Sequence, residues 1–326
     1  IARFERVVSA VGKISSHAEL TFAADTSNPA PAQHAQNMSE AINKVYSQLI
    51  FIELEIASMP EDVYNAALLD ESVAFYQPWL RLIRASAPYN LEPRLEKLLV
   101  EQSPTEHQAW VRLFDETFSA LRFDFKGEML TETEILNKLN KPDPEARALA
   151  AASLSNVLND NLRLFTLIMN TISKQKEVKE RWRGYSTPVS SRNLANDVDD
   201  IVVNTLVDTV TSRMPDLSHR YYKLKASWMG GDTIAWWDRN APVSGVEGRR
   251  FSWGEACDIV QSSFDSFDPE MGALAKRFFD NQWIDAQIRP GKASGAFSHP
   301  TVTSVHPYIL MNFEGLSGDV MTLAHE

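Results

Sequence analysis

The sequence predicts a mainly α-helical protein with a small β-sheet near residues 287–315. Three observations predict it. Glycine is sparse, 13 in 326 residues, so few positions are reserved for backbone that only glycine adopts freely. Apolar residues recur at helical spacing through most of the chain. After about Asn281 the texture changes: Gln287 to Asn312 is rich in glycine, proline, β-branched and aromatic residues.

The elements follow in order. Asn28-Pro29-Ala30-Pro31 reads as a loop, and Ser39 as the cap of a helix through Ile42, Val45, Leu49 and Ile52. A second helix, just after Pro78, carries Trp79, Leu82 and Ile83, and Ala87-Pro88-Tyr89-Asn90 is the next loop. Thr105 precedes a helix with Trp110, Leu113, Phe114 and Phe118 on its apolar side. The Phe and Trp positions of this N-terminal half read as core. Asp143-Pro144-Glu145 supplies an N-cap, a first helical residue and a favourable first-turn charge. One long helix should follow, through Ala150, Leu154, Leu158, Leu162 and Phe165 toward Val178. Arg181-Trp182-Arg183-Gly184-Tyr185 reads as a helix end, with cations at the negative pole and Gly184 turning the chain. Asp199 or Asp200 begins another helix, through Ile201, Leu206, Val210 and Met214, which resumes after Pro215 through Tyr222, Leu224 and Trp228. Ala296 to Pro300 and Tyr308 to Phe313 suit short strands. Gly315 ends the second, and Asp319 is placed as cap of a terminal helix containing His325.

The bulk numbers set limits. A chain of 326 residues can bury a large core and form two domains. A net charge of −11 disfavours a non-specific nucleic-acid or anionic-membrane surface. The single cysteine, Cys257, excludes an internal disulfide framework and a Cys-rich zinc site, and reads as an inert thiol. No apolar run is long enough to span a bilayer; Leu49-Ile50-Phe51-Ile52 is interrupted by Glu53 and Glu55. The N-terminus, with Arg3, Glu5 and Arg6, has no signal-peptide core. A cytoplasmic setting is the expectation. The sequence sets no oligomeric state. The chain opens on Ile1 and stops inside a helical pattern, so it reads as a fragment.

Its last residues, Leu323-Ala324-His325-Glu326, give the first two letters of H-E-x-x-H. In that motif two histidines one helical turn apart hold zinc, and the glutamate polarises the metal's water. Two letters mean little alone. Three further stretches carry more: Trp237-Asp238-Arg239-Asn240-Ala241-Pro242, Arg289-Pro290-Gly291-Lys292-Ala293-Ser294-Gly295-Ala296-Phe297, and His306 to Phe313 followed by Gly315 and the run Asp319 to Glu326. In this order the chain resembles the oligoendopeptidase F branch of the thimet-oligopeptidase-like (M3) zinc metallopeptidases, strongly over residues 230–326 and more weakly from about residue 40.

The resemblance implies an N-terminal helical domain over 1–120 and the first part of the catalytic domain over 121–326. It implies a zinc-dependent endopeptidase that hydrolyses short oligopeptides. His325 would be the first zinc ligand and Glu326 the general base, with the remaining zinc ligands beyond the chain; the chain alone would then be inactive. It also places the small sheet at the active-site cleft. Gly295, Ala296 and Phe297 suit an edge to which a peptide adds as a strand, since small residues admit a second backbone. Tyr308 and Asn312 would line the same face.

Plainer readings stand beside these. His299 and His306 each precede a proline and read as loop histidines rather than further ligands. Trp236-Trp237-Asp238-Arg239 reads equally as core packing with an Asp–Arg pair. Arg289 and Lys292 would either bind a substrate carboxylate or pair with acidic residues. The glycines at 291 and 295 lack the spacing of a nucleotide loop. The alternative for the whole chain is a non-catalytic helical scaffold or peptide-binding module. A reading frame with no histidine at the fourth position past His325 would favour it.

Overall fold

The computed structural model describes residues 1–243 and 248–326. Its helices are α1 (Ala2–Ala24), α2 (Pro29–Ser58), α3 (Glu61–Leu68), α4 (Gln77–Ser86), α5 (Pro93–Gln102), α6 (His107–Ala120), α7 (Glu132–Lys138), α8 (Pro144–Asp160), α9 (Leu162–Arg183), α10 (Ser190–Ala195), α11 (Asp200–Arg213), α12 (Arg220–Trp228), α13 (Trp253–Phe267), α14 (Pro269–Asp280) and α15 (Ser317–His325). The strands are β1 (Phe123–Phe125), β2 (Glu128–Leu130), β3 (Ile284–Asp285), β4 (Phe297–His299) and β5 (Tyr308–Leu310). The protein is mainly α with small sheets, as the sequence predicts. Two compact units each collect distant parts of the chain. One comprises Ile1–Met38, Leu113–Leu162 and Tyr222–Glu326; the other comprises Ser39–Arg112 and Arg163–Tyr221.

The second unit has its core where Ile56 and Ala57 of α2, Tyr64 of α3, and Leu80 and Ile83 of α4 meet. Arg84 seals that cluster. It donates to Ala57 O at 2.7 Å, pairs with Glu61 at 3.0 Å and lies over the Tyr64 ring. Elsewhere in the unit the buried Glu96 accepts a bidentate pair from Arg183, at 2.6 and 2.7 Å. Arg183 ends α9, and Gly184 turns the chain at φ 81°, as its sequence signature predicts.

The first unit has two cores. One gathers Phe123, Leu130, Ile135, Ala150, Ala151 and Leu154 around the β1–β2 hairpin. Beside it Arg147, 2% exposed, donates to Asp238 at 2.7 Å and to the carbonyls of Lys141 and Pro142. Asp238 thus finds its arginine far away in sequence rather than at Arg239. The other core joins Ala256 and Val260 of α13, Met311, and Val320 and Leu323 of α15. Ser252 and Glu255 form a reciprocal cap on α13. The Ser252 N–H, the Arg249 guanidinium and the Ser252 hydroxyl hold the Glu255 carboxyl at about 2. The cap is therefore intact above the ordinary glutamate value of about 4.3 and is lost as the pH falls through its folded value.

Several boundaries differ from those the sequence predicts. Ser39 lies inside α2, which starts ten residues earlier at Pro29. Asn28 accepts from Ala30 N at 3.0 Å, and Pro29 takes the first helical position, where a missing N–H costs nothing. The expected helix toward Val178 breaks at Asn161, whose amide turns back onto Val157 O. Phe75 and Phe51 are 83% and 52% exposed, so they are surface rather than core. The periodicity of the sequence does not predict the β1–β2 hairpin. Its turn, Lys126-Gly127, has positive φ at both residues, 55° and 88°, which matches the twist of the strands it joins.

Candidate active site

The terminal helix α15 is set by its first turn. Asp319 sits in that turn rather than at the cap, and its Oδ2 accepts from the N–H groups of Leu316 and Glu314, both at 2.9 Å. This satisfies donors that a helix start leaves open, next to a favourable dipole. Gly315 precedes it at φ 86°, and a Cβ there would stand 2.5 Å from Phe251 O. Phe251 in turn donates its N–H to Gly315 O at 2.9 Å. Gly315→Ala is therefore expected to cost about 1–3 kcal/mol, through strain and the clash together; urea unfolding measures it. Val320 and Leu323 point α15 into the core with Met311. His325 is the last helical residue and is exposed. Glu326 still donates its N–H to Thr322 O at 3.0 Å.

The neighbouring sheet has the order β3-β5-β4. β3 runs parallel to β5, β4 antiparallel, and β4 is an edge strand. Both strands are shorter than the sequence suggests, ending at His299 and Leu310. Beyond Leu310 the chain leaves the β4 ladder because the Asn312 side chain takes over, donating to Ala293 O and Gly295 O at 3.0 and 3.1 Å. The register Phe297↔Leu310 and His299↔Tyr308 places those four residues, with Asn312, on one face by alternation. Met311 alternates to the other face, where it packs with α15. Gly295, at φ 77° and exposed, leads into the edge with open space around it.

Lys292 holds this arrangement. Its side chain is 0% exposed, and its ammonium donates to Met311 O, Asp285 O, Gln287 O and Asp285 Oδ1, at 2.6 to 3.0 Å. Arg289 grips the same carboxylate with two bonds of 2.7 and 2.6 Å. Both cations are thus in structural pairs. Burial opposes ionisation of Asp285, but the hydrogen bonds from Arg289 and Lys292 outweigh it and hold the carboxyl below its usual range. Stability from this group is complete above about pH 4 and is lost as the pH falls through the folded value. Asp285→Asn is expected to flatten the acid limb of a plot of unfolding midpoint against pH.

On the Phe297 face lies a cleft of about 320 Å³, bounded by Phe22, Phe114, Phe118, Phe297 and Asn312. Tyr308 is not part of its lining. Ring packing accounts for Tyr308 and His306 instead: His306 stacks on Trp283 at 3.5 Å, and Tyr308 packs on His306 at 4.5 Å. His299 bonds Ser16 Oγ at 3.0 Å. The cleft residues Phe22, Phe114 and Phe118 carry no motif; only their assembly from α1 and α6 makes them neighbours of the edge strand.

Among the described residues no three His, Cys, Asp or Glu side chains are grouped as metal ligands. Catalytic zinc takes about three protein ligands and a water. His325 offers one imidazole, so these residues do not by themselves make up a zinc centre.

Residues 138–326, more than half of the chain, match the family model described as Peptidase family M3. The chain belongs to peptidase family M3. Residues 55–123 match a second model, described as Oligopeptidase F. Over 99% of its length this M3 chain is 23% identical to Oligopeptidase PepF of Bacillus subtilis, covering 49% of that protein. It is 25% identical to Group B oligopeptidase PepB of Streptococcus agalactiae, over 90% of this chain and 50% of that one. The chain thus spans about half the length of these curated relatives. In fold it is similar to PZ peptidase A, solved with an inhibitor (TM-score 0.84, 15% identity, 99% of this chain and 56% of that one). It is also similar to oligoendopeptidase-F from Enterococcus faecium (TM-score 0.67, 21% identity, 86% and 53%). No helix among the described residues is long and apolar enough to cross a membrane.

Proposed function

We propose that this chain is the first half of a zinc-dependent oligoendopeptidase, with residues 1–120 as a helical domain and residues 121–326 opening the catalytic domain. One observation carries the reading. The M3 match runs to the end of α15, where the exposed His325 and the half-buried Glu326 finish a helix packed against a sheet with an open edge. His325 is one zinc ligand in this reading; the others come from polypeptide equivalent to the second half of the relatives. Bound zinc would lower the pKa of its water. Glu326 accepts the proton of the attacking water and passes it to the departing amine.

A short peptide pairs with the free edge of β4 beside Gly295, Ala296 and Phe297. An added strand lies in the plane of the sheet, so its side chains alternate between the α15 face and the face of the aromatic cleft. Asn312 contributes from that second face by fixing the carbonyls of residues 293 and 295, and Tyr308 contributes from the same face outside the cleft, where it packs on His306. We place the protein in the cytoplasm, in keeping with its acidic charge and single thiol. By itself the chain is inactive in this reading, holding one imidazole of the ligand set.

The test is cleavage of an internally quenched oligopeptide. A chain extended through the length of its relatives is expected to cut it, and a chelator to stop the reaction. An extended chain that binds the peptide without cutting it overturns the peptidase reading and favours a peptide-binding module.

A further inference from the structure

We propose that the aromatic cleft beside β4 is a side-chain pocket that selects a basic residue, arginine or lysine, of the bound peptide. The proposal rests on the reading that a peptide adds to the β4 edge, and it names the peptides that edge prefers. Every residue lining the cleft belongs to the unit of Ile1–Met38, Leu113–Leu162 and Tyr222–Glu326, so its walls come from one compact body. A volume of about 320 Å³ is small for a ligand pocket and suits one long side chain.

The sheet delivers that side chain. A residue of an added strand shares a face with the residue it lies opposite. Phe297 faces the cleft, so the peptide residue across from it does too. Gly295, two positions earlier, contributes no side chain and has nothing within 4 Å of where a Cβ would stand. A long side chain therefore has room to pass beside β4 into the cleft.

The walls suit the stem of a basic residue, and the charges suit its head. Phe22, Phe114, Phe118 and Phe297 supply aromatic surface, with Phe114 and Phe118 stacked at 5.1 Å. Aromatic faces attract a guanidinium or ammonium and pack against the methylenes that carry it. A neutral aromatic side chain would also fit such walls, so charge decides between the two. Four charged residues line the cleft: Asp115, Glu132, Arg289 and Lys292. Lys292 is 0% exposed at its side chain, and Arg289 spends both terminal nitrogens on Asp285. Asp285, with Asp25 acting on Arg289, offsets these two cations. Asp115 and Glu132 have no such partner at their carboxylates among the described residues. Partial burial and the neighbouring Glu116 raise the Asp115 carboxyl, and a cation in the cleft would relieve both effects. Glu132 lies in the first turn of α7, where the helix pole favours its ionised form.

Cleavage of host peptides by the chain extended through the length of its M3 relatives tests this. Arginine, citrulline, phenylalanine or glutamate is moved through each position of a neutral, internally quenched host. Citrulline keeps the shape of arginine and removes its charge. At one position arginine is expected to raise kcat/KM about 10-fold over citrulline and over phenylalanine. Asp115→Lys/Glu132→Gln is expected to keep the circular dichroism of the parent and to turn the preference at that position to glutamate. Equal cleavage of the arginine and citrulline peptides at every position overturns the proposal. So does a preference for phenylalanine over arginine, or an arginine preference that survives the double substitution. A chain that cuts none of the peptides removes the peptidase reading instead. Fluorescence anisotropy with the same series, labelled, then decides the pocket by the same ratios in Kd, and a chain that binds none of them overturns it.

Discussion

Glu326→Gln is expected to lower kcat about 10³-fold in an enzyme extended through the length of its M3 relatives, with KM nearly unchanged. A general base typically contributes 10²–10⁴-fold, and 10³ corresponds to about 4 kcal/mol of activation free energy. Glutamine keeps the size of the side chain but cannot take the proton. The fold should not respond, because Glu326 lies at the end of α15, outside the Met311–Val320–Leu323 cluster. His325→Ala should act differently: metal content falls together with activity, whereas Glu326→Gln retains the metal. Steady-state kinetics and metal analysis on the two variants separate these roles. Full activity in Glu326→Gln would remove the carboxylate from the mechanism.

The sequence makes this site legible only in part, and the reason is physical. Local chemistry reads well. Asp143-Pro144 starts α8 and Gly184 ends α9 as expected, because caps depend on a few adjacent residues. Asn28-Pro29 was harder, since the same dipeptide suits a loop or a helix start, and the long α2 decides between them. The Lys126-Gly127 hairpin leaves little trace in the sequence, because Phe123–Phe125 and Glu128–Leu130 are three residues each, too short for alternation to stand out. Long-range contacts left no local trace. Lys292 gave no sign that four acceptors from Asp285, Gln287 and Met311 would surround it. Nor did Phe22 and Phe114 show that they would share a cleft with Phe297. Phe75 and Phe51 show the opposite failure: their apolar character does not place them inside.

Lys292→Met is expected to destabilise the chain by about 2–4 kcal/mol in urea unfolding. Opposing effects decide the figure. Burial pushes the Lys292 ammonium below its usual pKa, even though Asp285 pulls the other way, so the charge carries a desolvation cost that methionine removes. Methionine also fills nearly the same volume and gains some apolar transfer energy. Against this, the carbonyls of Met311 and Gln287 lose their donor in a site that is 0% exposed at the lysine side chain, while Asp285 O keeps the Met311 N–H at 2.9 Å. Each buried acceptor left unsatisfied costs about 1–3 kcal/mol, so the carbonyls of Met311 and Gln287 together outweigh the gains. Asp285 itself suffers less, because Arg289 keeps its two bonds and the carboxylate is partly exposed. The damage should therefore centre on the junction of Gln287 and Met311, which sets the start of the β4 edge, and hydrogen exchange should rise at residues 293–312 before it rises in the β1–β2 core. A loss below about 0.5 kcal/mol, well under the cost of one orphaned acceptor, would show that water reaches these carbonyls and that Lys292 is not what fixes the edge strand.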